Sequence, residues 1–462
     1  MSDPQERGAW SSKIGFILAG AGSAVGLGAI WRFPYYTGEN GGAIFTLAFL
    51  ICCFFIGYPV MIAELTLGRN TQKNPVGMFK KLAKGGGWKW LGGLCILSGF
   101  TIFAWYSIIA GWVVGYLYKT AIGTFSEVRD ANMISSMFDQ FSASGVTVSS
   151  LHALIILMTA FVVYRGVKSG IELLSKLLMP LLFLLLILLA IRSITLEGAA
   201  DGLKFYLYPD FSKVSGMMIL KAMGQALFSL SLGMGTMITY GSYLSKKENI
   251  PVSAAWITFF ELLVCILAGL VIMPAVSAMG QSYTEGPDLI FKVLPSIFGQ
   301  MPGGYYFGVG FFVLVIIAAL TSTVSILEVP VAYFVDEKHW SRKKAVIFVG
   351  FIAYLIGTPA ALAHGASDFW SNLAGIKGGF FTIISTVFGD ISLSIGAFFI
   401  AIFVGWLWGV EKATTEIKSE ENGITVSEFP IKKYWSFLIK FVAPVTIAIV
   451  FGYTMWKTFI GL

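Results

Sequence analysis

The chain alternates long apolar runs with short polar interruptions. Eleven runs have the length of a membrane-crossing helix, about 17–25 residues or more: 14–36, 42–68, 90–118, 150–167, 171–193, 216–245, 252–278, 304–335, 344–363, 380–410 and 434–458. The pattern predicts an all-α polytopic membrane protein. The first run carries an anomaly, Gly20-Ala21-Gly22-Ser23-Ala24-Val25-Gly26-Leu27-Gly28. Each glycine weakens a helix by roughly 1 kcal/mol relative to alanine. Two readings are open: a small-residue packing face, or a helix broken at mid-membrane that bares amides and carbonyls to ligands. The sixth run repeats the anomaly with Phe228-Ser229-Leu230-Ser231-Leu232-Gly233-Met234-Gly235. Breaks in the first and sixth spans predict two five-helix repeats, 14–193 and 194–410. A cytoplasmic tail, 1–13, precedes them; a charged cytoplasmic loop, 411–433, and an eleventh helix, 434–462, come after.

Composition agrees: 56% of the 462 residues are hydrophobic and only 12% charged, with mean hydropathy +0.78. A soluble domain is excluded. The net charge of +7 is no nucleic-acid signature, because the basic residues sort by side. Arg69, Lys73, Lys80 and Lys81 follow span two, Lys246 and Lys247 follow span six, and Lys338, Arg342 and Lys343 follow span eight. The positive-inside rule places those loops and the N-terminus in the cytoplasm, and eleven spans place the C-terminus outside. A cleavable leader is not expected, since Met1 to Gly8 is polar. All four cysteines fall inside spans, which predicts free buried thiols.

Polar side chains inside spans are costly and mark function or pairing. Glu261 in span seven stands out; snorkelling is the other reading. Tyr106 lies near the middle of span three, where it ties helices together or binds a ligand. Thr321-Ser322-Thr323 in span eight either bond back to the preceding turn or offer oxygen ligands. Glu64, Glu328, Asp336 and Asp390 complete the set. Oxygen donors without histidine or cysteine favour a hard alkali cation. Amides and carbonyls beside that cation suit a zwitterion. A zwitterion between apolar walls is an amino acid.

Gly22-Ser23-Ala24-Val25-Gly26-Leu27-Gly28 with Trp31-Arg32-Phe33-Pro34 and Glu39-Asn40-Gly41-Gly42 resembles the opening motif of the neurotransmitter:sodium symporters. The resemblance runs through Gln225, Phe228 to Gly233, Thr321-Ser322 and Ser341 to Lys344. It is closest to bacterial amino-acid transporters of the LeuT fold, with 5+5 inverted repeats. It implies sodium-coupled amino-acid uptake by alternating access in the bacterial inner membrane.

It also implies a substrate pocket of Ser23, Ala24, Leu27, Gly28, Ile102, Tyr106, Phe228, Ser229, Ser231, Met234, Ser322 and Ile326. The amides of Leu27 and Gly28 with the Tyr106 hydroxyl hold the carboxylate; carbonyls of Ala24, Phe228 and Ser231 take the ammonium. Ser23 stands where monoamine transporters have aspartate, so monoamines are not expected. Ile102, Ile326 and the adaptable Met234 point to hydrophobic and aromatic amino acids. One sodium site is implied at Gly22, Val25, Ala318, Thr321 and Ser322. The other uses Ala24 and Ser229, and here the chain departs from the family pattern: Ala29 and Glu261 replace two side-chain amides. Glu261 is therefore expected to supply ligand and charge, making chloride unnecessary.

For the gates, the resemblance implies a lid of Tyr106 and Phe228 and a cytoplasmic pair, Arg7 with Asp336, supported by Trp10 and Tyr243. Arg32 is the outer-gate arginine; Asp368, Asp390 or no acid is its partner. Gly170 and Pro180 mark an unwinding point in span five. Glu64 resembles the acid that ties the broken backbone together, and Glu328 has no assigned role. The expected partners are two sodium ions, an amino acid and the lipid bilayer, with no nucleic acid and the oligomeric state open. A proton-coupled transporter of the same fold is the alternative. An enzyme is not expected, because no nucleophile–base pair is visible, and a channel would need a continuous polar stripe.

Overall fold

A computed structural model describes residues 8–83, 85–125, 131–283, 289–376, 378–418, 420–421, 424–425 and 428–459. Among the described residues nine helices are long and apolar enough to cross a membrane, and Lys13–Ala24 with Gly28–Glu39 adds a tenth span bent by 48°. Span six is the eleventh. It is split into Gly216–Ser229 and Thr236–Gly241, each too short to cross alone. The other spans are Ala43–Thr71, Trp88–Ala121, Gly145–Tyr164, Val167–Ile194, Ile250–Ala278, Gly304–Lys338, Arg342–Leu362, Gly379–Leu407 and Lys432–Trp456.

Packing sorts these spans. The most apolar window is 72% buried in spans three and eight but 33% in spans four and five. Spans three and eight are therefore the inner posts. Four and five turn leucines such as Leu177 and Leu157 outward, as a lipid-facing helix requires.

The break in span one is narrower than the glycine run. The helix continues through Ala24 and stops at Val25, whose ψ is 83°; a π-helical turn, Gly28–Arg32, comes next. Gly20 and Gly22 are helical. A Cβ on Gly20 would meet Ile257 of span seven, and one on Gly22 would lie 3.1 Å from Thr321 Cβ and 3.3 Å from Met179 Sδ. These two glycines let spans seven, eight and five approach, so both readings of the run hold, each for half of it. The span-six break is wider. Ser231, Gly233 and Gly235 all have positive φ, and Ser231 is the non-glycine among them. Strain of that kind persists only where the surroundings enforce it.

Two stretches differ from expectation. The segment read as a loop from 411 begins with a helix, Val410–Ile417. It docks on the C-terminal end of span two: Arg69 pairs with Glu416 at 2.9 Å, and Asn70 and Lys246 donate to the same carboxylate at 2.8 and 2.6 Å. Pro180 lies inside a continuous helix, Leu173–Ile194. Distortion in span five is confined to a π turn, Val167–Glu172, that contains Gly170.

Candidate functional site

Both breaks meet between the inner posts. The Leu27 amide, freed by the break in span one, donates to Tyr106 Oη at 2.7 Å. From across the gap, Ser231 Oγ donates to the Ser23 carbonyl at 2.9 Å, and Ser322 Oγ to the same oxygen at 3.2 Å. The left-handed turn at Ser231 is thus held by a bond to the other broken span. Gln225 Nε2 donates to Gly28 O at 2.8 Å, while its own Oε1 is buried without a hydrogen-bond partner. Within the span-six break Glu64 of span two accepts from the Gly233 amide at 2.8 Å. This is the geometry of discontinuous helices around a midplane site.

A small cavity of about 20 Å³ lies at the meeting point. Ten of the twelve positions named for the pocket are on its wall; Leu27 and Ser229 are not, and Gly26 and Leu393 are. Leu27 points its amide at Tyr106, and Ser229 turns away toward span seven, where its hydroxyl bonds Glu261. Gly26 belongs on the wall because a Cβ there would strike Tyr106 Oη and Ser322 Oγ.

Glu261 is fully buried, which excludes snorkelling. One carboxylate oxygen accepts from Ser229 Oγ and, at 3.4 Å, from Cys265 Sγ; the other, Oε2, has no hydrogen-bond partner. A buried charge so placed calls for a cation. Ser229 and Glu261 meet here, and the Ala24 carbonyl, at the end of the first half-helix, accepts the Gly26 amide at 2.9 Å; oxygens of this kind have the hardness that suits sodium.

Of the second predicted cation set, Gly22, Thr321 and Ser322 are brought together, with Ala318 one turn from Thr321. Thr321 faces Gly22, and Ser322 Oγ lies 3.3 Å from Gly22 O. Thr321 Oγ1 bonds back to Ala318 O at 3.0 Å, the alternative reading of these hydroxyls. Val25 is buried at the end of the first half-helix, bonded to Ala21 O.

Above the cavity, Arg32 reaches Asp390 at 2.8 Å and lies over the Phe228 ring, 4.5 Å from its centroid. Asp390 is thus the partner of Arg32, and Asp368 stands exposed in the connection between spans nine and ten. Below it, Trp10 donates to Tyr240 O at 3.0 Å and packs edge-on against Tyr243. Arg7 lies outside the described residues; Asp336 accepts from the backbone and side chain of Asn74. Glu328 has a role after all: it pairs with Arg342 and accepts from Tyr243 Oη at 2.6 Å. Arg342 also donates to Val163 O at 2.7 Å, joining spans four, six, eight and nine.

Sequence reasoning missed Leu393 and Glu172 and gave Gln225 no role. Glu172 accepts from Ser11 N at 2.7 Å and from Ser11 and Ser12 hydroxyls, tying the tail to span five. A carboxylate four residues before Lys176 was the available signal.

The comparisons with known proteins agree with this geometry. A model of the sodium:neurotransmitter symporter family matches residues 7–128 and 125–459. A sodium-dependent transporter of Bacillus subtilis is 40% identical, with 96% of each chain covered. One of Haemophilus influenzae is 35% identical over 97% of this chain and 98% of its own. The crystal structure of MhsT in complex with L-phenylalanine superposes with a TM-score of 0.87 at 42% identity, covering 97% of this chain and all of that one.

Proposed function

The chain belongs to the sodium:neurotransmitter symporter family, and from that premise we propose that it imports hydrophobic and aromatic L-amino acids with sodium, without chloride. It is a multi-pass membrane transporter, not an enzyme. The observation that carries the proposal is Glu261: a buried carboxylate, bonded to Ser229 at the span-six break, with one oxygen free of hydrogen bonds. A fixed negative charge there balances a sodium ion held by Ala24, Ser229 and Glu261, so no anion is needed. Gly22, Val25, Ala318, Thr321 and Ser322 would hold a second sodium.

The amino acid sits with its carboxylate on Tyr106 Oη and the Leu27 and Gly28 amides, at the positive end of a half-helix. Its ammonium faces the carbonyls of Ala24, Phe228 and Ser231. Its side chain meets Ile102, Met234 and Ile326. Phe228 and the Arg32–Asp390 pair close the outside; the Trp10 and Glu328 contacts close the cytoplasmic face. We place the N-terminus in the cytoplasm of a bacterial cell, from the basic loops.

A proton on Glu261 would satisfy the same unpartnered oxygen, so proton coupling is the second reading. Binding of radiolabelled leucine and tryptophan to purified protein, in sodium and in potassium, separates the two. Binding only in sodium, displaced by large apolar amino acids, is expected; equal binding in potassium would favour the proton.

A further inference from the structure

Span ten enters the cavity at a single residue. Its helix carries a π turn, Thr386–Ile391, and resumes at Ser392. π turns often sit at functional sites, because they rotate the remainder of the helix. Here the turn brings Asp390 to Arg32 and, three residues on, Leu393 to the cavity wall.

That segment is held from three directions. Ser392 Oγ bonds Ser98 Oγ of span three at 2.8 Å. The Leu393 carbonyl packs on Gly233, where a Cβ would also come within 2.9 Å of Ala397 N, and Gly396 packs on the Gly233 carbonyl. Asp390 is fixed by Arg32. Leu393, 2% exposed, thus lines the cavity together with Met234, on a backbone packed against Gly233.

The other apolar wall residues differ. Ile102 is one turn from Tyr106 and Ile326 one turn from Ser322, so both meet the substrate side chain close to its polar end. Met234 has three rotatable bonds and adapts. Leu393 is what span ten contributes to the wall and its side chain is apolar, which assigns it to the end reached by the substrate side chain. We propose that Leu393 sets the upper size limit of that side chain. This deepens the amino-acid reading above and rests on it.

The test measures sodium-dependent dissociation constants for valine, leucine, phenylalanine and tryptophan in wild type, Leu393→Ala and Leu393→Phe. A change of one or a few methylenes in an apolar pocket shifts discrimination by about 10-fold or more. Leu393→Ala should move the tryptophan-to-valine preference by about 10-fold toward tryptophan, and Leu393→Phe should reverse it. The sodium concentration for half-maximal binding should stay unchanged. An equal loss for all four amino acids, or no change in their ratio, would overturn the proposal. If Leu393→Ala does not fold, Leu393→Val and Leu393→Met carry the same ratio test. A wild type that binds none of the four would overturn the amino-acid reading itself; a wild type that binds, with ratios unmoved in the variants, would overturn only the role of Leu393.

Discussion

Arg32 bridges two elements beside the cavity: its guanidinium lies 2.8 Å from Asp390 of span ten and 4.5 Å from the centroid of Phe228 in span six. One cation thus ties the Phe228 ring to span ten. The pair is partly hydrated, with side chains 17% and 37% exposed, so it is worth about 1 kcal/mol or less. Asp390→Asn should speed amino-acid dissociation by up to about 5-fold and leave sodium affinity unchanged. Dissociation of a prebound labelled substrate reads this directly.

Tyr106→Phe removes the acceptor of the Leu27 amide and strands a buried donor, at a cost of about 1–3 kcal/mol. It also removes a proposed carboxylate contact. Amino-acid affinity should fall by about 10- to 100-fold, while the thermal unfolding profile in detergent keeps one cooperative transition. An affinity unchanged within twofold would show that the substrate carboxylate lies elsewhere.

The docked helix Val410–Ile417 makes a pH prediction. Burial alone would raise the Glu416 carboxyl, but Lys246, Asn70 and Arg69 hold it below its ordinary range. A carboxylate depressed in the folded state adds stability above its unfolded pKa, about 4.3, and loses it as pH falls through the folded value. Glu416→Gln should therefore lower the melting temperature at pH 7, and the gap from wild type should close below about pH 4. A gap independent of pH would assign the effect to packing.

Much of this architecture was legible in the chain because membrane physics reduces it to two signals: apolar length and polar exceptions. Glu261, Tyr106 and Asp390 stand out against apolar surroundings, and the structure places all three at or beside the cavity. The limits are equally physical. Glycine has the same letter whether it opens a helix, as Gly26 does, or lets two helices touch, as Gly20 does. Leu393 is one leucine among many, and the π turn before it rotates the wall by an amount no 3.6-residue count anticipates. The Arg69–Glu416 and Glu328–Arg342 pairs join residues in different segments, so spacing alone could not match cation to acid.

The most direct test is the sodium titration of labelled phenylalanine binding, in chloride and in gluconate, for wild type and Glu261→Gln. Identical wild-type curves are expected in the two anions. In the variant the half-saturating sodium concentration should rise by about 10-fold or more, from the loss of a charged ligand, with chloride restoring part of it. Wild-type binding that collapses in gluconate, or a variant whose sodium curve does not move, would contradict the assignment of Glu261 as the fixed charge at the sodium site.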